Sequence, residues 1–211
     1  MINRISWARA AYQKYYPWSF ARLLRKHLAD CDSVLDLGCG TASPIMFMSR
    51  RPQSLVGMDV LPEYLRLAKQ RNTHDRYVSG DITKIEFRPK SFDVVVALEV
   101  IEHLTAEEGQ RLIFRMETWA KKKIIISTPN GYVPFVGADS FRTHNSGWTI
   151  GQLERMGLSI LGVGGYKWAW NGLFLRHPFA RRVAVALTEP FVYHVPTLAR
   201  GLLAVKVVEK Q

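Results

Sequence analysis

Short apolar runs alternating with amphipathic helical stretches predict an α/β chain built on a doubly wound, mostly parallel sheet. Three observations carry this expectation. Strand-like and helix-like patterns take turns along the chain. The run Phe92–Leu98 is almost entirely apolar, as in a strand buried on both faces of a parallel sheet. Glycines and charged residues gather at the carboxyl ends of the runs, where such sheets bind ligands: Asp36 to Gly40, Asp59, Asp81, Leu98 to His103 and Thr128 to Gly131.

The elements follow in order. Residues 17–29 place Trp18, Ala21, Leu24 and Leu28 at helical spacing with cations opposite. Residues 33–37 read as a strand entering Gly38-Cys39-Gly40, and Ser43-Pro44 reads as a helix start. Residues 54–59 form the second strand, a helix runs from Pro62 to near Asn72, and Arg76–Ser79 is a short third strand. After the fourth strand, Thr105 and Glu108 make a capping box for a helix to about Ala120. A fifth strand spans 123–128, and Thr149 with Gln152 caps a short helix ending at Gly157. Residues 158–168 and 201–208 supply a sixth and a seventh strand.

The 211 residues suit a single domain: an N-terminal helical lid over 1–30, a ligand-binding core over 31–165, and an aromatic and basic insertion over 166–197 before the last strand. In that insertion Trp168, Trp170, Phe174, Phe179, Phe191 and Tyr193 are expected to pack an added helix, cover an apolar acceptor, meet a second subunit or rest on a membrane surface. Apolar residues at 47% and charged residues at 22% exclude disorder and collagen-like structure. Two cysteines, Cys31 and Cys39, exclude a disulfide scaffold; they flank one strand, roughly 20 Å apart or more, beyond bridging distance. A cytoplasmic protein is expected, with neither signal peptide nor membrane-spanning run. Lys and Arg outnumber Asp and Glu by 29 to 18, so the net charge of +11 favours anionic partners, though the cations are dispersed.

The chemistry concentrates in Asp36-Leu37-Gly38-Cys39-Gly40-Thr41. Two glycines after a strand permit a tight turn and close ligand approach. A dinucleotide fingerprint requires a third glycine at position 43, where this chain has serine, and Asp36 would repel a pyrophosphate. A nicotinamide-dependent reductase is therefore disfavoured. Asp59, nineteen residues after Gly40, is placed to accept ribose hydroxyl hydrogens, and Asp81 to meet an adenine amino group.

The succession DLGCGT, GMDV, GDI and FDVVVALEVIEHL resembles the class I S-adenosylmethionine-dependent methyltransferases, in their type 11-like branch, over roughly residues 30–160. The resemblance implies a Rossmann-like seven-stranded sheet whose last strand is antiparallel, with S-adenosylmethionine as cofactor. It implies that Asp36, Gly38 and Gly40 border the methionine moiety and that Asp59 holds the ribose. Val60 would pack on the adenine, Asp81 with Ile82 would read its edge, and Leu98 and Glu99 would lie beneath the cofactor. Methyl transfer by in-line displacement needs alignment and a dry pocket, so no metal is expected.

The acceptor is expected to be a small molecule methylated on oxygen, with a hydrophobic or lipid-like body. His103 and His144 are candidate bases, and both would have to reach the acceptor. Asn130 and Tyr132 leave the fifth strand toward the same pocket. Tyr16, in the aromatic group with Tyr12, Tyr15 and Trp18, would line a lid. RNA is the alternative acceptor, motivated by the charge, and a silent cofactor-binding scaffold is the alternative outside catalysis.

Overall fold

The computed structural model describes residues 16–47, 51–167 and 178–208. Seven strands, β1 (Ser33–Leu37), β2 (Ser54–Asp59), β3 (Arg76–Ser79), β4 (Phe92–Leu98), β5 (Ala120–Pro129), β6 (Ser159–Tyr166) and β7 (Ala199–Val207), form one sheet in the order 3-2-1-4-5-7-6. Strands β1 to β5 pair in parallel, while β7 runs antiparallel to both of its neighbours. Strand β5 begins at Ala120, earlier than its apolar run, because a bulge shifts the register between Phe92↔Ala120 and Val94↔Lys123.

Alternation along β4 divides the core into two layers. Val95 and Ala97 meet Leu112, Ile113, Met116 and Trp119 of helix α3 (Ala106–Trp119) on one face. Val94, Val96 and Leu98 meet Leu23, Leu24 and Leu28 of α1 (Phe20–Leu28) on the other. Helix α2 (Pro62–Gln70) covers β2 and β3, burying Leu65 and Ala68. Both expected capping boxes are formed, Thr105 with Glu108 at α3 and Thr149 with Gln152 at α4 (Ile150–Arg155). The start at Ser43-Pro44 makes a single 3-10 turn, Pro44–Phe47, with Ser43 Oγ accepting from the Ile45 amide.

Most of the described part of the 166–197 segment is helix α5 (Pro178–His194), which packs on β6. Glycines make this approach possible: a Cβ on Gly162 would stand 2.0 Å from the Val192 carbonyl oxygen, and one on Gly165 would stand 2.9 Å from Val185 Cα. Trp18 packs edge-on against Tyr193 at 4.8 Å, and the Tyr16 hydroxyl donates to the Ala186 carbonyl. Trp168, Trp170, Phe174, Tyr12 and Tyr15 lie outside the described residues. Among the described residues no helix is long and apolar enough to cross a membrane. Cys31 and Cys39 are free and buried.

Candidate active site

A cavity of about 630 Å³ opens at the carboxyl ends of β1, β2 and β4. Its first wall is the turn after β1. Gly38 and Gly40 both adopt left-handed backbone, at φ 65° and 58°, and a Cβ on Gly38 would stand 2.6 Å from Val100 Cγ2. The turn is stitched to β2: the Cys39 amide donates to the Met58 carbonyl and the Gly40 amide to Asp59 Oδ2, each at 2.9 Å. Asp59 Oδ1 accepts from the Leu61 amide at 2.9 Å. Burial raises the Asp59 pKa, and these backbone bonds offset the rise only in part.

Val60, Leu61 and Tyr64 continue that wall, and Asp81 with Ile82 closes the adjacent corner. Asp81 Oδ1 accepts from the amide and hydroxyl of Thr83 at 2.8 and 2.7 Å. Burial works to raise its pKa, but the Thr83 bonds and Lys84 outweigh it, so the group stays ionised. Glu99, the residue after β4, lines the floor in left-handed backbone at φ 56°, a costly conformation for a glutamate. Ser127 holds it there, accepting the Glu99 amide at its carbonyl and donating its hydroxyl to Glu99 Oε1 at 2.8 Å.

The opposite end is built by the 3-10 turn Ile101–His103 and by a long segment after β5. The amides of Asn145 and Ser146 donate to the Glu102 carbonyl at 2.8 and 3.1 Å, and Asn145 Nδ2 donates to the His103 carbonyl at 2.7 Å. These bonds set His103 edge-on against His144, ring centroids 5.0 Å apart. Phe135, Phe141 and Leu104 add apolar lining. Arg142 straps the segment across the mouth, bonding Glu63 of α2 at 3.0 Å and lying over the Tyr64 ring at 5.1 Å.

Of the expected cofactor residues, Gly38, Gly40, Asp59, Val60, Asp81, Ile82 and Glu99 line this cavity, and so does His103. Asp36 does not. It is 1% exposed, and its carboxylate lies 3.0 Å from Nε2 of the buried His74, whose Nδ1 meets Thr73 Oγ1 at 2.8 Å. Leu98 belongs to the buried core rather than to the lining. Asn130 spends its amide on the carbonyls of Pro196, Thr197 and Ala199, fastening the turn before β7. Tyr132 is 61% exposed outside the cavity, and Tyr16 is engaged by α5. His144 stands behind His103, its Nδ1 2.8 Å from the Val133 carbonyl.

Four contributors lay hidden in the sequence. Tyr64 looks like an ordinary helical aromatic, and Arg142 and Asn145 flank His144 without any spacing that announces a site. Glu102 is the fourth: it is buried, and Oε2 has no hydrogen-bond partner. Burial, then the neighbouring Glu99 carboxylate, pushes its pKa up to about 9.

Residues 34–123 match the family described as a methyltransferase domain. Erythromycin 3''-O-methyltransferase of Saccharopolyspora erythraea is 33% identical over 84 residues, covering 36% of this chain and 28% of that protein. The 18S rRNA (guanine-N(7))-methyltransferase of Bos taurus is also 33% identical, over 72 residues, covering 34% of this chain and 26% of that protein. The matched stretch thus spans less than a third of either relative. The small RNA methyltransferase HEN1 superposes with a TM-score of 0.62 at 19% identity, over 90% of this chain and 25% of that one. Magnesium protoporphyrin IX methyltransferase from Synechocystis PCC 6803, solved with bound SAH, gives 0.58 at 15% identity, over 99% and 89%. The match lies on the strands and turns that build the glycine and aspartate walls, so residues 34–123 carry a methyltransferase domain on the fold of the S-adenosylmethionine-dependent methyltransferases.

Proposed function

We propose that this protein transfers a methyl group from S-adenosylmethionine to an oxygen of a small acceptor with an apolar body. One observation carries the reading: the cavity has two chemically different ends, glycines and carboxylates at one, aromatic rings and a histidine at the other. The first end fits the cofactor. Asp59 receives two backbone amides and keeps further lone pairs for ribose hydroxyls, while Asp81 Oδ2 meets only Lys84 among the described residues, at 3.4 Å, leaving an acceptor for an amino group. Asp59, Asp81, Glu99 and Glu108 in the lining suit a ligand bearing sulfonium and ammonium charges and oppose a pyrophosphate. When bound, S-adenosylmethionine supplies an electrophilic methyl group.

The chain's own part is to align and to activate. Gly38 and Gly40 leave their backbone open to the ligand, and the Arg142 strap narrows the mouth by tying the segment after β5 to α2. His103 Nδ1 lies 3.1 Å from the Thr143 carbonyl, so it donates there and Nε2 retains its lone pair. Burial lowers the His103 pKa, which keeps the ring neutral and able to receive an acceptor proton. Phe135, Phe141 and Leu104 line this end and support an apolar acceptor. The net charge of +11 favours RNA instead, but the carboxylates of the lining weigh against a polyphosphate strand.

Calorimetry with S-adenosylmethionine and S-adenosylhomocysteine, with NAD as control, tests the first half. Binding in the micromolar range is expected for both, lowered about 10- to 100-fold in Asp59→Ala as two hydroxyl contacts are lost. No binding by a folded sample overturns the reading. Methyl incorporation into RNA, weakening steeply with salt, would replace the small acceptor by the alternative.

A further inference from the structure

Glu102 is a buried carboxyl set against the side chains of Glu99 and Thr128. It is 2% exposed and its Oε2 accepts no hydrogen bond, a deficit that costs on the order of 1–3 kcal/mol. Beside it stand His103 and His144, and one ligand-capable atom from each of the three residues lies within 4.8 Å of the others. Both Nδ1 atoms face backbone carbonyls, Thr143 at 3.1 Å and Val133 at 2.8 Å. A carbonyl only accepts, so in the neutral ring each Nδ1 carries the hydrogen and each Nε2 keeps a lone pair. Orientation of an imidazole through its other nitrogen by a backbone carbonyl is how proteins prepare a histidine to hold a metal. The bonds from Asn145 and Ser146 to the Glu102 and His103 carbonyls keep the two ring-bearing segments side by side.

We propose that Glu102, His103 and His144 bind a divalent first-row transition cation at the acceptor end of the cavity, with Glu99 as the nearest further carboxylate. Two imidazoles and a carboxylate suit manganese, iron, cobalt or zinc better than magnesium or calcium, which prefer oxygen alone. Metal–ligand bonds of about 2.1 Å place ligand atoms roughly 3–4 Å apart. A spacing within 4.8 Å therefore needs only a small side-chain contraction. Because His103 and Glu99 line the cavity, the cation's open positions face it. The role of the histidine pair then changes from base to ligand: a hydroxyl bound to the cation is acidified and releases its proton to water. That use rests on the methyltransferase reading; the binding of the cation does not.

The test uses tag-free, full-length protein freed of metal with EDTA, titrated with Co²⁺ by visible absorption and with Mn²⁺ by calorimetry. One equivalent should bind with a Kd of about 10 µM or below. Glu102→Gln and His144→Ala should each weaken binding at least about 30-fold while keeping the wild-type circular dichroism. Asp59→Ala should lose S-adenosylmethionine and keep the Co²⁺ spectrum, which separates failure of this site from failure of the cofactor assignment. If the wild-type protein takes up neither cation below about 1 mM, the proposal is overturned without any variant. Folded variants that bind like wild type overturn it equally.

Discussion

Asp36 and Asp59 occupy nearly equivalent places on adjacent parallel strands, yet only one faces the cavity. Asp59 is the last residue of β2 and leaves the sheet toward the ligand side, whereas Asp36 is still inside β1 and turns onto His74. Room for that imidazole comes from Gly57, where a Cβ would stand 2.8 Å from the ring. Asp36→Ala should therefore cost about 2–3 kcal/mol by stranding a buried histidine, read as a lower urea midpoint. The two glycines of the turn separate backbone strain from steric clash. Gly40→Ala meets nothing within 4 Å and should cost only the left-handed penalty, about 1–2 kcal/mol. Gly38→Ala adds the collision with Val100 and should lose more stability and more cofactor affinity in calorimetry. At this scale a sequence reveals residue types but not facing: Asp36 and Asn130 have the right chemistry for a site and spend it inside the fold. A residue such as Glu102 gives no sign of its burial in a linear string.

Elements were more legible, because caps and periodicity are local. The capping boxes of α3 and α4, the buried run of β4 and the ends of β2 all follow from neighbours within a few residues. What local patterns do not encode is how elements meet. The bulge that starts β5 early depends on its partner strand, and the glycines of β6 read as weak strand formers until α5 is laid on them. Gly162→Ala would push a side chain into the α5 backbone; a loss of about 1–3 kcal/mol is expected, with hydrogen exchange rising first in α5. The strap across the cavity is held by exposed contacts worth under about 1 kcal/mol. Arg142→Ala should thus leave the thermal midpoint nearly unchanged while S-adenosylmethionine dissociates a few-fold faster, about 2- to 5-fold in stopped flow.

Across the whole molecule, ion pairs add small pH-dependent increments to stability, and the contact between the turn after α1 and strand β5 shows the sign. Lys123 lies 2.9 Å from Asp30 and, through that hydrogen bond foremost, lowers the Asp30 pKa to about 2. A depressed folded-state value means this contribution is complete above the ordinary aspartate pKa of about 4 and disappears as pH falls through about 2. Lys123→Met should flatten the stability profile in that window, by less than about 1 kcal/mol because Asp30 is largely exposed, and 1 M salt should do much the same.

The position of β7 has a consequence for how the protein comes into being. Among the described strands, β6 is hydrogen-bonded only to β7, and β5 meets β6 only through it. On the ribosome, β1 to β5 can assemble as they emerge, but the edge of β5 and the whole of β6 wait for residues 199–207. Synthesis interrupted just before Ala199 would leave a nascent chain with two sticky edges and no means of joining them. Strand β7, translated after both of its neighbours, is thus the keystone of the sheet, and the chain holds a finished sheet only once that segment has emerged.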